Sequence, residues 1–498
     1  MTDHVDVLHG VYHDSVSLMQ VSQQARRAPG VREAQIGMGT ELNIDLLAGA
    51  GFAIPAEAGP NDLLIAVRAD SDEAVTAGIG VIDAALRELR DAGRSSTSSD
   101  SDVTPRTVDT ALARAGDASR LCVISVPGAH ATVETLAAIA QGRSVLLFSD
   151  NVTVEDEVIL KDAAARHDVL VMGPDCGTTV VNGMALGFAN TVRRGPVGMI
   201  AASGTGAQQV MCLLDIAGVG ISHCLGLGGR DLTAAVGGRS ASQALAALQS
   251  DPATETIIVV SKPADPQVVT DLETLADTGT TPVHWATLGR GLPDLTTAVE
   301  QVLTYRGTPV PQWPSWIIPN TATAPSLRGY FCGGTLADET LFLTEPALGA
   351  VRSNLTTDPE RHMSATATPT GHTIIDFGDD EMTRGRPHPM IDPSSRLERI
   401  TAAGTDPDCG VLLLDLILGH GAHPDPAADL AAAIRDARDA ATTAGRTLPV
   451  VVSLIGTDAD PQGLRACAEA LHTAGASVFV SNAHATRHAL ALLTGGTR

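Results

Sequence analysis

At 498 residues the chain is too long for one hydrophobic core, so three or four domains are expected. A formal net charge of −24 argues against nucleic acid or an anionic membrane as partner. Hydrophobic residues make up 44% with 49 glycines and only 3% aromatics, which marks a globular α/β chain with cores of Val, Leu, Ile and Ala. Only two lysines occur, Lys161 and Lys262. The seven cysteines are scattered with no C-x-x-C pair, so neither a zinc ribbon nor a redox motif is read, and a reduced, cytoplasmic chain is expected. Met1-Thr-Asp-His-Val lacks the basic and apolar regions of a signal peptide, and no apolar run approaches the ~18 residues of a membrane span.

In chain order, residues 1–93 alternate strand and helix as a small N-terminal α/β sandwich. The strands are Val5–Val11, Val31–Met38 and Leu63–Arg68; the helices are Asp14–Arg27, Thr40–Ala50 and Ser71–Ala92. The turns at Tyr12–Ser15 and Gly37–Thr40 are either recognition loops or ordinary helix caps. Residues 94–107 form a polar linker without periodicity. Residues 108–193 are a second α/β unit with strands Leu121–Ser125, Ser144–Phe148 and Val169–Met172, each ending in a small or polar turn. Residues 194–306 read as a flavodoxin-like unit with strands at Val197–Ala201, Ser222–Leu227, Thr256–Ser261 and Thr281–Thr287. Residues 307–326, with five prolines, read as a semi-rigid linker. Residues 327–498 form a last α/β domain, with strands Leu327–Phe331, Thr373–Phe377, Gly410–Leu416, Val450–Leu454 and Ser477–Val480.

The chain is organised around 172–231. Strand Val197–Ala201 breaks at Ser203-Gly204-Thr205-Gly206 and a helix follows. Small residues at a strand-to-helix turn let backbone N–H groups and the helix N-terminus approach an anion, and Ser203 and Thr205 can cap or donate. Gln209 stands where a dinucleotide fingerprint needs its third glycine, and no Gly-Lys-Ser/Thr follows, so the turn is neither a Rossmann fingerprint nor a Walker loop.

Gly173-Pro-Asp-Cys176, Ala202-Ser-Gly-Thr205 and Gly226-Leu-Gly-Gly-Arg-Asp231 resemble the α subunit of succinyl-CoA synthetase. With Leu147–Asn151, Cys332-Gly-Gly-Thr335 and Gly378–Asp392, nearly the whole chain is similar to the FdrA family, which fuses those modules. The resemblance implies a Rossmann-like CoA-binding-type domain (108–193) and two flavodoxin-like, succinyl-CoA synthetase-type domains (194–306 and 327–498). It also implies a carbamoyltransferase subunit acting with partner subunits in allantoin nitrogen catabolism, converting phosphate and oxalurate to carbamoyl phosphate and oxamate. The family's G-x-T-G-x-x-G loop is not found, which puts CoA in question, and no G-H motif follows the strand containing His284, a histidine read as part of the core. Two other readings stay open: an NDP-forming acyl-CoA synthetase, and a non-catalytic ligand-binding or regulatory subunit.

Under the resemblance, Ser203, Gly204, Thr205 and Gly206 hold phosphate together with a second helix start, either Gly333-Gly334-Thr335 or the turn with Gly419, Gly421 and Ala422. Two helix N-termini facing one anion need no lysine. His420 and His423 are candidate acid/base or phosphate-contacting groups, or are merely oriented by Asp425 and the cap. Arg230 and Asp231 either bind a substrate carboxylate or pair with a neighbouring loop. The segment with Asp379, Asp380, Glu381, Arg384, Arg386 and His388 binds Mg²⁺ or an anionic substrate, makes a subunit contact, or forms an internal ion-pair network. Cys176 and Cys332 have no neighbour in sequence that lowers a thiol pKa, so neither is assigned as nucleophile.

Overall fold

The computed structural model describes residues 1–11, 13, 15–39, 41–55, 58–59, 62–94, 105, 107–116, 119–383 and 387–495. Two compact units result, Met1–Thr104 with Arg384–Pro387, and Pro105–Thr383 with His388–Arg498.

The first unit runs β1 (Thr2–Leu8), α1 (Ser15–Arg26), β2 (Val31–Met38), α2 (Glu41–Gly49), β3 (Leu63–Ala69) and α3 (Asp72–Arg94). The sheet is antiparallel in the order β1-β3-β2. Strand β3 is apolar at successive positions because both faces are covered. Leu63, Ile65 and Val67 meet Leu18, Val21 and Ile82 of α1 and α3, whereas Leu64 and Ala66 meet Leu47 and Phe52. Strand β1 begins and ends three residues earlier than the sequence reading, since its register pairs Thr2 with Ala69 and Leu8 with Leu63.

The second unit contains three sheets. In the first, β4 (Leu121–Ile124), β5 (Ser144–Leu147) and β6 (Val171–Met172) are parallel in that order, with α4 (Val108–Ala115), α5 (Gly128–Ala140) and α6 (Val154–Arg166). Next comes a hairpin absent from the sequence reading, β7 (Thr178–Val181) and β8 (Met184–Gly187). Its turn is Asn182-Gly183, both at positive φ (52° and 80°), the conformation a two-residue hairpin requires.

The hairpin extends a six-stranded sheet in the order β12-β11-β9-β10-β7-β8. Its elements are β9 (Arg194–Ala202), α7 (Gly204–Ile216), β10 (Ile221–Gly226), α8 (Arg239–Ser250), β11 (Thr256–Ser261), α9 (Pro266–Ala276), β12 (Val283–Thr287) and α10 (Leu295–Tyr305). Strands β9 to β12 are parallel. The connection after β9 runs to one side and that after β11 to the other, so the crevice at the C-terminal ends of β9 and β11 is a switch point.

The last sheet has the order β13-β19-β18-β17-β14-β16-β15. Its elements are β13 (Ser315–Trp316), β14 (Ser326–Phe331), α11 (Gly334–Leu348), β15 (Val351–Ser353), β16 (His372–Asp376), α12 (Asp380–Thr383), α13 (Ser394–Ala403), β17 (Cys409–Ile417), α14 (Pro426–Thr443), β18 (Val450–Ile455), α15 (Leu464–Thr473), β19 (Ala476–Phe479) and α16 (Asn482–Thr494). All its strands are parallel except β13, which lies in the proline-rich stretch and pairs antiparallel with β19. Trp313 is buried there, donating from Nε1 to Glu300 at 2.8 Å. The switch point of this sheet lies between β14 and β17, and one continuous apolar core spans it and the inner face of the six-stranded sheet.

Candidate functional site

Both switch points end in glycine turns, and the fold brings these together. Ser203, extended at φ −164°, caps α7 by accepting from the Gly206 N–H at 3.0 Å. The same Oγ lies 2.7 Å from Thr335 Oγ1 in the first turn of α11, and both residues are buried. A Cβ on Gly206 would lie 2.5 Å from Ser203 Oγ and 2.9 Å from Thr335 Cγ2, so a side chain there would force the helix starts apart. Gly204 and Thr205 complete the α7 turn, with Thr205 Oγ1 against Gly333. Gly333 precedes α11 without a side-chain cap, which leaves first-turn N–H groups of α11 without an intrahelical acceptor. Its own N–H donates to Asp415 Oδ2 at 2.8 Å, and the Cys332 N–H to Asp415 Oδ1 at 2.9 Å. Asp415, fully buried in β17, is balanced by Arg396 Nη2 at 2.8 Å, and this pair pins the turn that opens α11.

Lys262 follows β11 and reaches the second helix start. A Cβ on Gly334 would lie 2.9 Å from Lys262 Nζ and 2.6 Å from Asp376 Oδ2. Among the described residues Lys262 makes neither a hydrogen bond nor an ion pair within 4 Å. Burial pushes Asp376 up to about 7, against the pull of the Lys262 charge and the Gly378 N–H. Burial likewise lifts Asp338 of α11 to about 6, again opposed by Lys262. His388 packs on Gly378, where an added Cβ would meet its Nε2 at 2.7 Å, and burial pushes it down to about 4, so the ring is neutral. The result is one unpartnered ammonium and two helix N-termini beside carboxyl groups that are readily protonated.

The structure gives several sequence candidates other roles. Gly419, Gly421 and Ala422 do not open a helix: α14 begins at Pro426 and is capped by Asp425, which accepts from Ala428 N. That turn instead clasps residues 188–191. His420 N–H donates to Ala189 O at 2.9 Å, its Nε2 lies 3.1 Å from Thr191 Oγ1, and Gly421 abuts Phe188. His423 is buried, its Nδ1 accepting from Asp425 N at 3.2 Å. Asp231 cannot reach a substrate, because it is fully buried: Oδ1 accepts from Lys161 (2.7 Å) and Ser240 N (3.1 Å), and Oδ2 from Ala241 N (2.9 Å). Arg230 is committed to Glu157 Oε2 at 3.0 Å and to Val152 O at 2.8 Å. Arg384 and Arg386 lie outside the described residues.

Sequence reasoning missed Lys262, Asp376, Asp338, Asp415 and Arg396. The signal for Asp415 was present: one carboxylate inside the apolar run Val411–Leu418 has to be paired. The thiols are inert, burial pushing Cys176 up to about 11 and Cys332 well above its ordinary value. His284 stands edge-on to Tyr305 at 5.1 Å, but its buried Nε2 has no partner among the described residues. Among those residues no three His, Cys, Asp or Glu side chains are grouped to hold a metal ion, and no helix is long and apolar enough to cross a membrane.

Comparison with known proteins adds a family. The chain is 36% identical over 494 residues to the uncharacterized protein YahF of Escherichia coli, covering 93% of each. The chain belongs to the YahF family. Within this YahF-family chain, residues 1–103 match the model "AllF, heavy metal-associated domain", and residues 330–492 match the CoA-ligase model. Residues 1–103 contain no cysteine, so thiolate ligation of a soft metal is not open to that module. The succinate–CoA ligase [ADP-forming] α subunit of Methanothermobacter thermautotrophicus is 26% identical over 143 residues, 28% of this chain and 47% of that one. Among solved structures, the dinucleotide-forming acetyl-coenzyme A synthetase 1 of Ca. Korarchaeum cryptofilum, in complex with phosphate and ADP, matches with a TM-score of 0.31 and 15% identity over 81% of this chain and 90% of that chain. The carbamoyltransferase expectation, with its oxamate and allantoin context, is thereby corrected. The model matched by residues 330–492 and the α subunits of succinate–CoA ligase and malate–CoA ligase among the matched relatives are CoA ligases or parts of them, as in the acyl-CoA synthetase alternative.

Proposed function

We propose that the chain is an enzyme of the acyl-CoA synthetase type, similar to NDP-forming succinyl-CoA synthetase and fused as in FdrA-like proteins. Its crevice would hold the phosphate of an acyl phosphate. The observation that carries this reading is the 2.7 Å contact of Ser203 with Thr335, which joins two helix N-termini beside the unpartnered Lys262. N–H groups of both first turns, whichever hydroxyl of the Ser203–Thr335 pair does not donate to the other, and the ammonium supply donors to a phosphate dianion.

In this reading phosphate oxygen attacks the carbonyl carbon of an acyl thioester. The C–O bond forms, the C–S bond breaks, and the products are an acyl phosphate and a thiol. The leaving sulfur needs a proton, and Asp376, raised to about 7 by burial, is the group poised to give one, taking up in turn the proton that the phosphate loses as the acyl phosphate forms. Neutral Asp376 also removes a repulsion that an ionised carboxylate would exert on phosphate. Asp415 and Arg396 act as positioning residues by holding Cys332 and Gly333.

The test is a half-reaction assay. Purified protein is mixed with an acyl-CoA and phosphate, and acyl phosphate and free thiol are followed. Lys262→Met should raise the KM for phosphate about 10- to 100-fold, the equivalent of one charge-assisted hydrogen bond. Failure of phosphate to bind the wild-type chain at millimolar concentration, read by calorimetry, would sink the proposal.

A further inference from the structure

The six-stranded sheet carries a cavity at its β12 margin. This cleft of about 640 Å³ is walled by Ala264, Val269, Trp285, Leu288, Leu292 and Pro293. Its volume and apolar lining are those of small-molecule sites, which run about 300–1,000 Å³. One wall begins at Pro263, directly after Lys262, and the Leu288 N–H donates to Ser261 O at 3.0 Å. The inner end of the cleft therefore lies at the strand ends that carry Lys262.

Charge selects the occupant. No lysine or arginine lines the cleft, and its one charged side chain is Glu273, on the exposed face of α9. The His284 ring adds no cation, because burial lowers its pKa. One anionic group can be met only at the Lys262 end. A second, further along, would find no counter-charge and would face the Glu273 carboxylate.

We infer that this cleft selects the acyl group, and that it takes an apolar monocarboxylic acid, aliphatic or aryl, in preference to a dicarboxylic acid such as succinate. The reacting end points toward Lys262 and the body lies on Trp285, Leu288 and Leu292. The inference rests on the acyl-phosphate reading of the neighbouring crevice and adds its substrate class. Each further methylene laid in the cleft should tighten binding about fourfold.

The test is titration of intrinsic fluorescence with hexanoate and with succinate, using Trp285→Phe to subtract Trp313 and Trp316. Phosphate binding is measured separately by calorimetry on the wild type and on Lys262→Met. Hexanoate should saturate a Trp285-dependent signal at a concentration at least tenfold below succinate. Leu292→Arg, at a position 54% exposed and so tolerant of charge, should reverse that order. An equal response, a preference for succinate, or no Trp285-dependent signal, with phosphate binding intact and sensitive to Lys262, overturns the inference and leaves the crevice reading standing. Absence of phosphate binding in the wild type overturns the crevice reading, and this inference with it.

Discussion

The chain's two lysines occupy opposite environments. Lys161 is fully buried, and its ammonium donates to Glu157 Oε1 (2.7 Å), Asp231 Oδ1 (2.7 Å) and Leu227 O (3.1 Å). Every donor is used, Arg230 pairs the far side of Glu157, and Asp231 goes on to cap α8 through the N–H groups of Ser240 and Ala241. The cluster ties α6 to β10 and α8. Lys262 is only partly buried and has no such partners, and what faces it is the uncapped start of α11 and a carboxyl group pushed toward neutrality. A satisfied buried charge marks architecture, whereas an unsatisfied charge among other unsatisfied donors marks a place for a ligand.

The largest test of this contrast is Lys161→Met. Two buried carboxylates would lose their shared cation, and unfolding in urea should show a loss of about 3–5 kcal/mol. The equivalent change at Lys262 should move the urea midpoint little and fall instead on phosphate affinity. A stability loss at Lys262 as large as that at Lys161 would erase the distinction. Next in size, Gly334→Ala places a Cβ 2.6 Å from Asp376 Oδ2 and 2.9 Å from Lys262 Nζ, so both must shift. Phosphate affinity measured by calorimetry should fall about tenfold or more, matching loss of one charge-assisted bond.

The pH dependence comes third. Asp376 and Glu339, each raised by burial to about 7, and Asp338, raised to about 6, bind protons more tightly folded than unfolded. Their contribution to stability is full below about pH 4 and is lost as pH rises through about 7. Asp376→Asn should flatten part of that decline, read as melting temperature against pH, and should also flatten any fall in phosphate affinity across the same window. The smallest effect is expected at Ser203→Ala, which loses a helix cap and the Thr335 contact. It should cost about 1 kcal/mol in urea and weaken phosphate binding by a smaller factor than Lys262→Met.

The α7 start was legible because Ser203-Gly-Thr-Gly206 is a local signal, a capping residue and small residues after an apolar strand. The 333–335 turn was legible for the same reason, but so was the 419–423 turn, and local pattern could not choose between them. The choice came from Asp425 and Pro426, which open α14 themselves, and from Phe188 and Ala189, which fill the space beside Gly421 and Gly419. The hairpin at Asn182-Gly183 carried a readable turn that was passed over, as was the lone Asp415 in its apolar strand. For Arg230 and Asp231 the sequence left substrate contact and internal pairing open, because a charged pair after two glycines looks alike whether it faces solvent or a buried lysine 70 positions earlier, and the structure shows internal pairing.

By itself the sequence determined the alternation of strand and helix, the α/β class and the glycine turns where strands become helices, since these depend on periodicity and on residues within a few positions of one another. The meeting of Ser203 with Thr335, the placing of Lys262 over Gly334 and the neutralising burial of Asp376 belong to the tertiary structure alone. Sheet order decides which strand ends become neighbours, and burial, a property of the assembled core, decides which charges keep their partners and which are left for a ligand.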